Sequence, residues 1–112
     1  MKKSRLFALS IVALLTVSSP AFGWTFTYGS AVKTNSLTNS NGNHYMKLWD
    51  IGDEGHYVRG QYRRQDGFEY NTYNTYGYNT VVSGPAYSQW TTGAILCIDY
   101  PILDDCSDFF QS

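Results

Sequence analysis

The stretch from Lys47 to Gly67 is the part of the sequence that most constrains the fold. Residues 45–50 and 56–63 each alternate along the chain with a period of two, and the short segment between them has a glycine near each end, Gly52 and Gly55. A period of two is typical of a β-strand, and glycine permits the positive φ angles that tight turns use. The pattern therefore predicts two antiparallel strands joined by a turn, a β-hairpin across the whole stretch.

Composition extends this prediction to the rest of the chain. There are ten tyrosines and three tryptophans, and no segment shows the 3.6-residue period of a helix. We expect further strands at 24–28, 30–37 and 89–99, the last being the most apolar and central in its sheet. The pair Asn41-Gly42 predicts a type I′ turn. The predicted fold class is all-β, a small antiparallel β-sandwich or curled sheet of about six or seven strands.

Residues 1–23 are predicted to be a secretory signal peptide. A basic start is followed by an apolar run at 6–17 and by small residues at Ala21 and Gly23. The run is shorter than the roughly 20 apolar residues of a membrane-spanning helix. We therefore expect residues 24–112 to form a single secreted domain with no membrane span. It would be extracellular, or periplasmic if the host is Gram-negative.

Removal of the signal peptide changes the charge balance. Residues 24–112 contain five basic and nine acidic residues, a net charge of −4. Nucleic acids and anionic membranes attract basic surfaces, so a mildly acidic domain is a poor candidate to bind them. Nucleic acid is therefore not among the expected partners.

The two cysteines, Cys97 and Cys106, are predicted to form one disulfide. An even count in an exported chain favours pairing, and the eight residues between them do not match a metal or redox motif. A loop of about ten residues contributes roughly 2 to 3 kcal/mol in the chain-entropy account. The bridge would hold the C-terminal tail against the end of the last strand.

Catalytic chemistry has little support in the sequence. His44 and His56 flank the predicted hairpin and would face each other in a symmetric register, but three firm zinc ligands are not visible. Glu54 and Glu69 are the only glutamates, and neither is expected to be buried as the acid of a glycosidase would be. No serine has the context of a hydrolase nucleophile. We expect no enzyme and no cofactor.

Carboxylates crowd the segment around the predicted disulfide. Oxygen ligands in loops suit calcium, although their spacing is not that of an EF-hand. Acidic residues in loops and tails are also commonly just solvated. We predict no metal, and the calcium candidates to examine are Asp99, Asp104 and Asp105.

The run from Tyr70 to Thr80, YNTYNTYGYNT, is the strongest functional hint. Its tyrosines at 70, 73 and 76 recur every third residue, which fits neither a strand nor a helix, so we predict a long exposed loop. Tyrosine stacks on sugar rings and is enriched in protein interfaces. The alternative is that the tyrosines cover both faces of a thin sheet. The predicted binding surface consists of Arg59, Arg63, Tyr70, Tyr73, Tyr76 and Tyr78.

Two segments carry a family resemblance: residues 52–64, GDEGHYVRGQYRR, and the ending CIDYP…DDCS that begins at Cys97. Together they resemble small uncharacterised secreted proteins with two cysteines from Gram-positive bacteria, of the actinobacterial type. The run at 70–80 departs from the glycine-rich middle of that pattern. The resemblance implies a β-fold with one disulfide and no transferable catalytic residue.

These observations favour a small secreted, non-enzymatic binding protein with an aromatic-rich surface. Its ligand would be a cell-wall glycan or another extracellular protein. The alternative is a secreted antagonist, either a bacteriocin-like toxin or an enzyme inhibitor.

Overall fold

The computed structural model describes residues 23–112 and confirms the all-β fold class. The predicted signal peptide lies outside the described residues except for Gly23. In the described part of the chain there is no helix of the length and apolarity needed to cross a membrane. Residues 23–112 contain nine strands: β1 (Thr25–Tyr28), β2 (Val32–Thr38), β3 (His44–Asp50), β4 (Tyr57–Arg64), β5 (Glu69–Asn74), β6 (Thr80–Ser83), β7 (Thr91–Asp99), β8 (Asp105–Cys106) and β9 (Phe110–Gln111).

The strands form two antiparallel sheets that pack as a sandwich. The first sheet has the order β1-β2-β3-β6. The second has the order β9-β7-β4-β5, and the short β8 also pairs with β7. The prediction that the last long strand is central is therefore confirmed, since β7 has neighbours on both edges.

The predicted hairpin at 47–67 is wrong. Strands are present on both sides of the turn, but β3 belongs to the first sheet and β4 to the second, so residues 51–56 cross between the sheets. Period-two alternation identifies a strand and its buried face but not the strand it pairs with. His44 and His56 therefore lie at opposite ends of the sandwich and do not face each other.

Hairpins instead join consecutive strands within one sheet, among them β2 to β3 and β4 to β5. In the first, the amide of Gly42 donates to the carbonyl of Asn39, and Gly42 has a φ of +80°. Gly67 has the equivalent place in the second, with a φ of +87°. The predicted type I′ turn is wrong because Asn41 does not have a positive φ; the side chain of Asn39 instead accepts from its amide. The loop is a turn closed by a single left-handed glycine.

The core lies between the sheets. The alternation of residues 56–63 predicts that His56, Val58, Gly60 and Tyr62 share the core face, and Val58, Gly60 and Tyr62 are buried there in β4. The core consists of two clusters of buried side chains. The first comprises Ala31, Val32, Leu48, Val58, Leu96 and Ile98. The second comprises Met46, Tyr62, Tyr70 and Ala94.

Tyr62 joins the two sheets through a buried hydrogen bond. The hydroxyl of Thr34 donates to the carbonyl of Lys47 at 2.6 Å and accepts from the hydroxyl of Tyr62 at 2.8 Å. The Tyr62 side chain lies along its own strand over Gly60, where a Cβ would come 2.3 Å from the hydroxyl oxygen. Burial raises the pKa of Tyr62, so the hydroxyl stays protonated and can donate.

The C-terminal tail contacts both sheets. The predicted disulfide between Cys97 and Cys106 is confirmed. Beside it, the hydroxyl of Tyr28 on β1 donates to Asp105 at 2.6 Å. The ring of Phe110 then stacks on that of Phe26 with 4.5 Å between centroids. The tail therefore fastens the edge of the second sheet to the first.

Candidate binding surface at one end of the sandwich

The first half of the tyrosine run is a strand, so the predicted long loop is wrong there. In β5, Tyr70, Thr72 and Asn74 point into the core and Asn71 and Tyr73 point outward. This is the alternation of a β-strand, with Tyr70 on the inner face and Tyr73 on the outer face. The spacing of the tyrosines alone has a period of three, which concealed the strand.

Tyr70 is not available on the surface and must be removed from the predicted site. Its ring packs against those of Tyr62 and Tyr87, and its hydroxyl is 2.9 Å from that of Thr91. Burial raises the pKa of Tyr70. This tyrosine belongs to the core.

A short loop at residues 75–79 follows β5, and the buried side chain of Asn74 organises it. Its amide nitrogen donates to the carbonyls of Leu48 and Thr80 at 3.3 and 3.1 Å. Its oxygen accepts from the backbone amide of Tyr76 at 3.0 Å and from the Thr80 hydroxyl at 3.2 Å. The loop backbone is therefore held at both ends, while the side chains of Tyr76 and Tyr78 are 77% and 57% exposed.

The two predicted arginines are separated along the outer face of β4. Arg59 lies opposite Tyr73, and its guanidinium is 2.9 Å from a carboxylate oxygen of Asp104. Arg63 lies further along the strand, where it pairs with Glu69. The structure thus brings Arg59 and Tyr73 together but places Arg63 toward the other end of the sheet.

The strand directions bring four connections to the same end of the sandwich: 29–31, 51–56, 75–79 and 100–104. Of the nine large apolar side chains that are exposed in residues 23–112, seven lie at this end or on the adjoining outer faces of the sheets. All of these except Val81 belong to the second sheet or to the loops that follow its strands. Ile102 and Leu103 are 98% and 79% exposed. We call this surface the tyrosine end; it consists of Tyr57, Tyr73, Tyr76, Tyr78, Ile102 and Leu103.

A groove of about 330 Å³ opens beside this surface. The rings of His56 and Tyr100 meet edge to face in it, with 4.3 Å between their centroids. Tyr57 and Asp99 pair across neighbouring strands at the same place. The lining residues are Gly55, His56, Tyr57, Asp99, Tyr100 and Pro101. Sequence reasoning missed this groove because its two walls are 42 or more residues apart and meet only through the pairing of β4 with β7.

The three calcium candidates point to different partners. Asp104 is paired with Arg59, Asp105 accepts from Tyr28, and Asp99 lines the groove. Within residues 23–112, no three or more histidine, cysteine, aspartate or glutamate side chains gather where they would hold a metal ion. Asp104 and Asp105 therefore contact other side chains of the same chain.

A buried carboxyl adds to the acidic character of this end. Asp50, at the end of β3, is 1% exposed and accepts from the amide of Gly52 at 3.3 Å. Burial, together with the nearby carboxylates of Glu54 and Asp53, raises the pKa of Asp50. The Glu54 side chain lies over Gly52, so the crossing segment packs one carboxylate close to another.

Fold and surface together define the class: an all-β sandwich of two sheets with one disulfide and an aromatic surface at one end. Comparison with models of protein families, with curated proteins and with solved structures gives no match for this chain. The resemblance to two-cysteine secreted proteins of actinobacterial type stays a prediction.

Proposed function

We propose that this chain is a small exported, non-enzymatic binding protein that contacts its ligand with the tyrosine end. The observation that carries the proposal is the concentration of exposed tyrosines and aliphatic side chains at one end of the sandwich. Exposed apolar side chains that gather in one place mark interaction surfaces more often than scattered ones do. Loops at the end of a rigid sandwich are also common positions for binding residues.

The composition of loop 75–79, Thr-Tyr-Gly-Tyr-Asn, supports recognition of a ligand. Tyrosine provides a large amphipathic contact area at a low cost in side-chain entropy. The hydrogen bonds of Asn74 hold the loop before any ligand arrives. Binding then requires little further ordering of the backbone, which favours affinity.

The proposed ligand is another extracellular protein, because the tyrosine end includes Ile102 and Leu103. Aliphatic side chains bind favourably in apolar pockets, which protein surfaces offer, whereas sugar rings stack on aromatic faces. A cell-wall glycan is the other ligand class, and the experiment below separates the two. Export is supported by the predicted signal peptide and by the disulfide, which persists in oxidising compartments.

The proposal is tested with labelled mature protein added to cells and secreted fractions of the producing strain. We expect the cells or fractions to retain the labelled protein. This retention should be lost when they are treated with protease before the labelled protein is added, but not when they are treated with polysaccharide-degrading enzymes. The double variant Tyr76→Ala/Tyr78→Ala should bind at least about tenfold more weakly, since it removes two contact rings. Phe68→Ala is the matched control, because Phe68 is 50% exposed at the opposite end.

Equal binding by the double variant and the wild type would contradict the proposal. A loss of the same size in Phe68→Ala would also contradict it, since binding would then not be specific to the tyrosine end. Retention that resists protease but is lost on polysaccharide digestion would assign the surface to a glycan.

A second function, that of a secreted antagonist, is favoured by one observation. Ile102 and Leu103 stand at the tip of the loop that the disulfide closes. A constrained loop with exposed aliphatic side chains is suited to block an apolar cleft of an enzyme. In that case the mature protein would inhibit a secreted hydrolase on mixing, and Ile102→Ser/Leu103→Ser would abolish the inhibition. A toxin would instead inhibit growth of related strains.

A further inference from the structure

The groove beside the tyrosine end has features that define the ligand more closely. From its lining we infer that it receives a positively charged side chain of the protein partner. This inference rests on the proposed function, because it assigns a chemical group to part of the same surface. Three observations lead to it: the aromatic walls, the carboxylate in the lining and the apolar residues next to the groove.

The walls of the groove are aromatic. His56 and Tyr100 pack edge to face at 4.3 Å, which fixes both rings, and Tyr57 stands beside them half-exposed. The faces of the Tyr57 and Tyr100 rings carry negative electrostatic potential and attract ammonium and guanidinium groups. Rings that are held by their neighbours offer this attraction without a large loss of side-chain entropy on binding.

Asp99, an exposed residue, supplies a carboxylate to the lining of the groove. Among the described residues that line the groove, none is a lysine or an arginine. The nearest arginine along β4, Arg59, is already paired with Asp104. Glu54 lies in the same crossing segment as Gly55, and its carboxylate raises the pKa of Asp50, so the surroundings are acidic as well. This charge complements a cation.

The residues next to the groove indicate that the cation belongs to a protein. Pro101 lines the groove, and the chain continues directly into Ile102 and Leu103, which are almost fully exposed. A free small cation would fill the groove and leave these two side chains in water. A peptide chain that inserts a lysine or arginine would bring apolar neighbours into contact with them.

The test is a titration of the mature, isotope-labelled protein, followed by NMR chemical shifts. Three probes are compared: Nα-acetyl-lysine methylamide, its uncharged counterpart Nα-acetyl-norleucine methylamide, and choline. We expect the lysine probe to shift the amides of 55–57 and 99–101 and to bind about threefold to fivefold more tightly than the norleucine probe. A lysine-leucine dipeptide should bind more tightly still and shift residues 102 and 103.

Variants identify the groups responsible. Asp99→Asn should weaken binding of the lysine probe about threefold, and Tyr57→Leu should do so to a similar extent, since each removes one source of attraction. Asp108→Asn is the matched control, because Asp108 is also an exposed carboxylate but does not line the groove. It should bind the lysine probe as the wild type does.

Equal binding of the lysine and norleucine probes would overturn the inference, as would shifts that map away from the groove. Choline binding more tightly than the lysine-leucine dipeptide would overturn the assignment to a protein side chain. These failures are distinguishable from failure of the proposed function. The effect of Tyr76→Ala/Tyr78→Ala on ligand binding does not depend on the groove.

Discussion

The two ends of the sandwich are both rich in aromatic residues, but they use them differently. At the end opposite to the tyrosine end, Arg64 lies between the rings of Phe68 and Tyr87, 4.4 and 4.6 Å from their centroids. Nearby, His44 stacks on Trp90 with 3.7 Å between ring centroids. At the tyrosine end the rings of Tyr76 and Tyr78 face solvent. Aromatic composition alone therefore does not identify a binding surface. The contacts of each ring determine whether it is available to a ligand.

The largest expected effect separates the two kinds of tyrosine within one short run. Tyr70→Ala removes a packed core ring and should lower the free energy of unfolding by about 3 to 5 kcal/mol. Tyr76→Ala removes an exposed ring and should change it by less than about 0.5 kcal/mol. Urea unfolding of both variants measures the difference. Similar losses for the two would mean that the comparison between the ends is wrong.

Asn74 links the core to the tyrosine end, so its replacement should affect both. Asn74→Ala leaves the carbonyls of Leu48 and Thr80 without their side-chain donor, and we expect a loss of about 2 to 3 kcal/mol. Hydrogen exchange at residues 75–79 should also become faster. Asn71→Ala, on the outer face of the same strand, serves as the control and should leave exchange in the loop unchanged.

The buried carboxyl of Asp50 makes the stability of this end depend on pH. Its raised pKa means that the folded state binds the proton more tightly than the unfolded state does. The stability that this protonation contributes is fully present below the pKa that Asp50 has in the unfolded state. It is lost as the pH rises through the pKa that Asp50 has in the folded state. Asp50→Asn keeps an acceptor for Gly52 and cannot ionise.

For that reason Asp50→Asn should be more stable than the wild type at neutral pH, and its stability should change less between mildly acidic and neutral pH. Thermal unfolding over a pH series measures this. Asp53→Asn provides the control because Asp53 is exposed. A variant that is less stable than the wild type at neutral pH would show that the ionised carboxylate is stabilised by its surroundings.

The smallest expected effect concerns the opposite end. Arg64→Met keeps the length and the packing of the side chain between Phe68 and Tyr87 but removes its charge. We expect a decrease in Tm smaller than that of Asn74→Ala and no change in ligand binding. A loss of binding in Arg64→Met would show that the ligand contacts both ends.

Much of the fold follows from local sequence patterns. The alternation of Val58, Gly60 and Tyr62 identified the buried face of β4, and the apolar run ending at Asp99 identified the central strand. The disulfide followed from the count of cysteines and the inferred compartment. Each of these features depends on residues close in sequence or on chemistry that has few alternatives.

The choice of strand partners did not follow from the sequence. A strand such as β3 has the same alternation whether it pairs with β4 or with β2 and β6, and the outcome depends on long-range packing. The strand that begins at Glu69 was hidden because tyrosine occupies both of its faces. The groove also required long-range contacts, since His56 and Tyr100 meet only in the folded chain.

The most direct test of the tyrosine end is site-specific photo-crosslinking in cultures of the producing strain. A photoreactive aromatic residue is placed at position 76 in one variant and at position 68 in another, so that exposed rings at the two ends are compared. The account predicts a discrete crosslinked species from position 76 and none of that mass from position 68. Crosslinking only from position 68, or from neither position, would contradict the claim that the tyrosine end is the binding surface.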